Sequence, residues 1–271
     1  MFDSISTAVS GLQQFQQRID VIGNNIANVN TVGYKDARIT SSDSFSQTLE
    51  NALQVGTGVN TENVSSIFTQ GPLTQTGAPT DMAISGQGFF TVKDTSTGAV
   101  YATRDGSFQV NTAGYLVTSA GLRVQGFNDP TLATRGDMKV DATGAPASAT
   151  AGASVASYQV DATGKVQVTL SDGTSFTRGQ VLLQNFTAPQ SLTKEGNNLY
   201  SNLTAAGPLA QTSAPGTNGV GSIQAGSLET SNVDLTAEFS NLIIAQRGFQ
   251  ANSRVVTTSD EVLQEIINLK R

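Results

Sequence analysis

The chain has 271 residues, of which 38% are hydrophobic and only 13% charged, with 27 glycines and a formal net charge of −6. It contains no Cys, His or Trp, which excludes disulfides, thiolate nucleophiles, Cys/His zinc sites and every catalytic triad built on an imidazole base. The acidic balance, with no Lys/Arg cluster before Lys270-Arg271, argues against a nucleic-acid partner.

The two ends read as helix and the middle as strand. Residues 4–29 contain no Pro, and their apolar positions repeat every seven residues. Ile5, Leu12, Ile19 and Ile26 form one row; Ala8, Phe15, Ile22 and Val29 form the row three positions on. Nearly four heptads in register predict a narrow coiled-coil seam on a helix roughly 40 Å long. The opening Met1-Phe2-Asp3 lacks the basic and apolar regions of a cleaved secretory signal. No apolar run reaches the ~20 residues that span a bilayer.

Residues 30–81 show no sustained period and are rich in Asn, Thr, Ser, Gln and Gly. A structureless stretch of this length is unusual inside a compact domain, so 33–81 reads as an extended connector. From 82 to 200 the pattern is strand: short runs such as Phe89–Val92, Val166–Val168 and Val181–Leu183 are separated by Gly, Asn and Asp turns. Alternation over Lys165–Leu170 predicts a sheet with one wet face. The form V-[DN]-[AT]-[AT]-G recurs at Val110, Val140 and Val160; its Asp or Asn can bond the backbone two residues on, and its Gly supplies positive φ. Residues 142–156, almost wholly small, read as a slack boundary that can divide the β domain into two small units. Residues 201–227 read as a second connector.

The C-terminal segment repeats the heptad less cleanly. Leu235, Leu242, Phe249, Val256 and Leu263 are spaced by seven, flanked by Phe239, Ile266 and Ile267. Ser231 to Asp234 supplies an N-cap, and helix is expected over 233–269. The fold class is therefore α+β, mainly β. Terminal helices within 1–32 and 228–271 pair as a coiled coil about a central antiparallel β domain.

Candidate chemistry is sparse. Asp141, Asp161 and Asp172 lack the alternating oxygen ligands and closing Glu of a calcium loop, and read as turn residues. Gly86-Gln87-Gly88 runs into a strand rather than a helix, so it is not a phosphate cradle. No lysine stands where it would activate a serine. No catalytic, cofactor-binding or metal residue is expected, and the chain does not read as an enzyme. The terminal seams remain: Ile5, Leu12, Phe15, Ile19, Ile22, Ile26 and Val29 at one end, and Leu235, Phe239, Leu242, Phe249, Val256, Leu263 and Ile267 at the other. Each needs a partner, since an isolated helix of this length is marginal in water.

Ser10-Gly11-Leu12, with Ile19 through Lys35 (IDVIGNNIANVNTVGYK), resembles the N-terminal signature of the flagellar rod and hook proteins. Its motif positions here are Gly23, Asn24, Asn25, Ala27, Asn28, Gly33, Tyr34 and Lys35. Glu229 to Leu235 and Ile244 to Ser253, carrying Asn232, Val233, Gln246 and Arg247, are similar to the C-terminal signature of that family. Asp81–Phe90 and Thr103–Phe108 resemble its shared β region. The short path from Lys35 to Val55 looks more like a hook protein than the distal rod protein.

The resemblance implies a subunit of the bacterial flagellum, in the extracellular hook or the basal body. Such a subunit is exported by the flagellar type III apparatus without signal cleavage, and polymerises with its own copies into a helical tube. Rod proteins, the hook cap and the hook–filament junction are the implied partners. The expectation is a hook subunit passing torque from motor to filament, with a distal rod subunit as the alternative. A secreted β-rich adhesin-like protein is a more distant one.

Overall fold

The computed structural model describes residues 2–44, 46–49, 53–150, 152–208 and 212–269. The chain forms two compact units, one of residues 1–29, 35–67 and 233–271, the other of residues 30–34 and 68–232.

The first unit holds both long helices, α1 (Phe2–Ala27) and α2 (Leu235–Leu269). It also holds strands β1 (Ala37–Asp43), β2 (Ser46–Leu49), β3 (Leu53–Gly56) and β4 (Val59–Ser66). At the end of α1 the Asn28 side-chain amide donates to Asn24 O and Oδ1, at 2.9 and 2.7 Å, beside the backbone bond from Asn28 N to Asn24 O at 3.1 Å, so it binds the last turn of the helix. α2 opens on Asp234, whose Oδ1 accepts from the N–H groups of Thr236 and Ala237 at 2.8 and 3.3 Å, an N-cap placed where the dipole favours a carboxylate.

Most of the described residues between 37 and 66, expected as connector, form two antiparallel strand pairs. β1 pairs with β4 from Ala37↔Ser66 to Asp43↔Val59, and β2 with β3 from Ser46↔Gly56 to Leu49↔Leu53. The reason the sequence hid β1 and β4 is chemical. Both are built mostly of polar residues, largely exposed, so no sustained apolar alternation marks them. They lie on α1 through polar contacts. Gln14 Nε2 donates to Ser41 Oγ at 2.6 Å, Val59 N donates to Ser10 Oγ at 3.3 Å, and Thr61 bonds Gln17.

Among its described residues, the second unit is β apart from one 3-10 turn at Pro189–Ser191. Its strands are β5 (Leu73–Gln75), β6 (Met82–Ser85), β7 (Phe89–Lys93), β8 (Val100–Thr103), β9 (Gln109–Val110), β10 (Leu116–Val117), β11 (Arg123–Phe127), β12 (Arg135–Asp137), β13 (Val155–Val160), β14 (Lys165–Leu170), β15 (Ser175–Val181), β16 (Leu183–Gln184), β17 (Thr193–Gly196), β18 (Leu199–Ser201), β19 (Ser222–Ala225) and β20 (Ser227–Glu229). The main sheet runs β13-β14-β15-β11-β7-β8-β18-β17, all antiparallel, with β9, β10, β12 and β16 attached at its sides. Val166, Val168 and Leu170 of β14 face the core and their neighbours do not, as the alternation predicts. The recurring turn also behaves as predicted. Asn111 Oδ1 accepts from Ala113 N, and Asp161 Oδ1 from Thr163 N, at 3.0 and 2.8 Å; Gly114 and Gly164 sit at φ +83° and +79°.

Among the described residues, the main sheet includes strands from both sides of 142–156. β11 pairs with β15 at Gly126↔Val181 and Phe127↔Gln180, joining the strands before that stretch to those after it. A Cβ on Gly126 would lie 2.3 Å from Gln180 O, so only glycine allows the two strands this approach. Before β13 begins at Val155, the described residues of the stretch are mostly turns, and Ala142, Ala145, Ala149 and Ala153 pack against the core. Near the end of 201–227, β19 pairs with β6 and β20 begins its pairing with β5, while most of the other described residues there lie outside named strands. A second, aromatic cluster sets Phe89 edge-on to Phe68 and Phe186 at 5.3 and 5.5 Å, geometry that adds to simple burial.

Candidate assembly interface

α1 and α2 lie antiparallel. A Cβ added to Gly248 would fall 2.4 Å from Phe15 Cζ, and one on Gly11 would fall 2.7 Å from Asn252 Nδ2, so both glycines mark points where the helices meet closely. That register carries the start of α1 to about Glu261, and Val262–Leu269 extends beyond it. Helix α1 turns Gly11 and Phe15 to α2, and Ala8 and Ile22 of the Phe15 row are buried, while Ser10, Gln14, Gln17 and Asn25 bond the β1 and β4 segments. The polar positions between the seams, unremarkable in sequence, thus hold β1 and β4.

The structure covers the predicted seam residues unevenly. Ile5, Leu12, Phe15, Ile19, Ile26 and Val29 are half-buried, as are Leu242, Phe249, Val256 and Leu263. Leu12 and Phe249 flank one shallow hollow with Gln13, Gln16 and Gln17. Leu235, Phe239 and Ile267 are exposed; Phe239 shows 51% of its surface and Ile267 66%. Ile243 and Ile244, outside the predicted rows, each show 58%. Ile266 and Leu269 are exposed as well. Helix α2 therefore carries apolar side chains on more than one face.

The motif residues divide by role. Asn25 is 1% exposed; its amide donates to Ala37 O at 2.9 Å and accepts from Ala37 N at 3.0 Å, fixing where β1 begins. Asn24 and Asn28 close α1 as described. Gly23 and Ala27 are exposed, and Gly23 has open space about it. Gly33 needs to be glycine: φ is +68°, and a Cβ would fall 2.6 Å from Asp105 N. Tyr34 is buried with the Lys194 ammonium 4.6 Å from its ring centre, and Lys35 is buried. Asn232 donates to Thr69 O and Oγ1; Val233 is half-buried. Gln246 and Arg247 are exposed on α2, and the Arg247 guanidinium donates to Gln250 at 3.3 Å.

A cavity of about 450 Å³ opens between α1, β1 and the start of α2, lined by Arg18, Asn25, Asp36, Arg38, Glu238 and Asn241 among others. Glu238 is 8% exposed and its Oε2 has no hydrogen-bond partner. Burial and then the Asp36 carboxylate push the Glu238 carboxyl above its ordinary value, against weaker pulls from Asn25 and Arg18. Sequence patterning offers no sign of this acid beyond its place in an apolar first turn.

The β unit has one buried ion pair among its described residues. Arg104 and Glu229 meet at 3.2 Å, their side chains 3% and 0% exposed. Arg104 also donates to Gly86 O at 3.0 Å, and Glu229 accepts from Gly71 N at 2.9 Å, so the pair ties together four chain segments distant in sequence. Asp161 and Asp172 accept turn N–H bonds. Asp141 does so and also pairs with Lys139 and Arg178 at 2.8 and 2.6 Å. Desolvation alone would raise the Asp141 carboxyl, but bonds from Lys139, Arg178 and Thr143 outweigh it and hold it well below the usual range. Gly86 and Gly88, at φ +112° and +129°, turn the chain into β7.

Three family descriptions match the chain: "Flagella basal body rod protein" over residues 5–35, "Flagellar hook protein FlgE/F/G D1 domain" over 83–168, and "Flagellar basal body rod FlgEFG protein C-terminal" over 224–269. The flagellar basal-body rod protein FlgG of Bacillus subtilis is 38% identical over 283 aligned positions, covering 100% of both chains. FlgG of Caulobacter vibrioides is 36% identical, over 98% of this chain and 99% of its own. The flagellar hook protein FlgE of Treponema pallidum is 44% identical over 140 positions, 47% of this chain and 30% of its own. With helices at both ends and a β unit between, these matches define a structural component of the bacterial flagellum. The chain belongs to the flagellar rod and hook protein family.

Proposed function

We propose that the chain is a distal rod subunit of the basal body that polymerises with its own copies into a tube through the apolar residues of α1 and α2. Likeness along the whole length supports rod over hook: relatives named as basal-body rod proteins align end to end, and hook proteins align over 47% of this chain. The observation that carries assembly is the exposure of Phe239, Ile243, Ile244, Ile266, Ile267 and Leu269 on one helix, more apolar surface than a solitary helix pair retains without a partner. Contacts of this kind that do not close on themselves generate an open filament. Export through the flagellar type III apparatus, and contact with other axial proteins, belong to the same reading.

The hook reading keeps one specific support. Over the 140 positions that align, hook proteins reach 44% identity, above the 38% seen across the full length with a rod protein. Electron microscopy of the purified chain under assembly conditions separates the readings. Straight, stiff tubes are expected; curved, bendable tubes would assign the chain to the hook, and no polymer would overturn both.

A further inference from the structure

The cavity in the helical unit has the character of a socket. Its walls include the apolar side chains of Val21, Ile22, Ile39 and Ile67. Within it, Glu238 holds an unbonded buried carboxylate oxygen. A buried carboxylate without a cation or full hydrogen bonding is costly. The charged groups that face or adjoin it are Arg18 on α1, Asp36 and Arg38 at β1, and Asp234 before α2. Among the described residues, neither arginine forms an ion pair with Glu238. Apolar walls around a carboxylate suit an alkyl stem ending in a cation, the build of Arg or Lys, better than a hydrated metal ion.

The chain carries a matching plug. Arg247 stands exposed on α2, bonded to Gln250 on its own helix, with Ile243 and Ile244 one turn before it. An arginine set among exposed aliphatic side chains is the usual make-up of a binding hot spot. Arg247 lies nine residues beyond Glu238 on the same helix, about 14 Å along the axis, so it cannot fold back into its own cavity.

We propose that the cavity at Glu238 receives Arg247 of a second copy of the chain. The contact is heterologous, socket on one copy and plug on the next, which is the arrangement that propagates a polymer rather than closing a dimer. This inference rests on the self-assembly reading above. It names one lock within that assembly.

The absence of cysteine gives a direct test. Asn241→Cys, on the cavity wall, and Arg247→Cys are prepared as separate proteins, mixed, assembled and oxidised. A disulfide-linked dimer containing one of each is expected in tubes and not in dilute monomer. Tubes that form without that dimer overturn the socket and leave self-assembly standing. Failure of the unaltered chain to polymerise overturns both.

Should the cysteine variants not assemble, Glu238→Gln, Arg247→Gln and the double variant answer the same question through the critical concentration for assembly. Each single change is expected to raise it about tenfold, and the double change no further, because the two remove one interaction. Independent, multiplying effects would overturn the pairing.

Discussion

The two units of this chain solve the burial problem differently. In the β unit, Met82, Ile84, Phe90, Val92, Val124, Met138, Val168, Val181 and Leu183 are essentially inaccessible and belong to one core cluster. In the helical unit, the buried apolar residues among those described are Ala8, Ile22 and Ala245, while Leu235, Phe239, Ile243, Ile244, Ile266, Ile267 and Leu269 of α2 stay exposed. A domain meant to stand alone hides such side chains, since each is worth ~1.5–3 kcal/mol on burial. The contrast is what the proposed assembly requires: a β unit complete within one chain and a helical unit that completes its core in a polymer.

The strongest way to break this comparison is to charge the seam. Leu12→Asp, beside Phe249, or Leu263→Asp is expected to abolish polymer in sedimentation and microscopy. The β unit's thermal transition should stay unchanged. Normal tubes from either variant would remove the seam from the interface.

Next in size is the buried pair of the β unit. Arg104→Met strands Glu229 in a site with 0% exposure and is expected to cost about 3–5 kcal/mol in chemical denaturation. Arg104→Met with Glu229→Gln should cost clearly less, because the uncompensated charge is gone. A third effect sharpens the helical side. Asn25→Ala removes both bonds to Ala37 and is expected to cost about 1–3 kcal/mol, with faster hydrogen exchange confined to the start of β1.

The smallest effect is the most diagnostic. The Glu238 carboxyl is raised above its ordinary 4.5 by burial first and by Asp36 second. A carboxyl raised in the folded state favours folding below its unfolded pKa, and that benefit is lost as pH climbs through the folded value. Glu238→Gln should therefore raise the melting temperature of the monomer at pH 7 and leave it unchanged near pH 3. The same substitution weakens assembly, so stability and polymerisation should move in opposite directions. A variant that lowers both would show that Glu238 serves the monomer's fold.

The sequence made much of this legible, and the gaps have physical causes. Terminal helices were visible because Ile5–Ile26 and Leu235–Leu263 repeat every seven residues. The turns at Asn111 and Asp161 were visible because side-chain chemistry dictates them locally. β1 and β4 were not, since their Ser, Thr and Asn residues carry no apolar period and their stability comes from backbone pairing and from Gln14, Gln17 and Asn25 of α1. The unity of the sheet across 142–156 depends on Gly126 meeting Gln180, a contact between residues far apart in sequence. Where the two helices meet, Phe15 belongs to a heptad row, but Gly11, Gly248 and Asn252 do not. Ile243, Ile244 and the Glu238 cavity depend on which face of α2 remains uncovered, a property of register rather than composition.

Whether the helical unit is finished only in the polymer can be read from hydrogen exchange, compared between monomer and tubes. Amides of α2, above all Val262–Leu269, are expected to exchange rapidly in the monomer. Once tubes form they should become protected by a hundredfold or more (on the order of 3 kcal/mol of local stability), while β14 and β15 are equally protected in both states. Equal, strong protection of α2 in the dilute monomer would show instead that the helices need no neighbour.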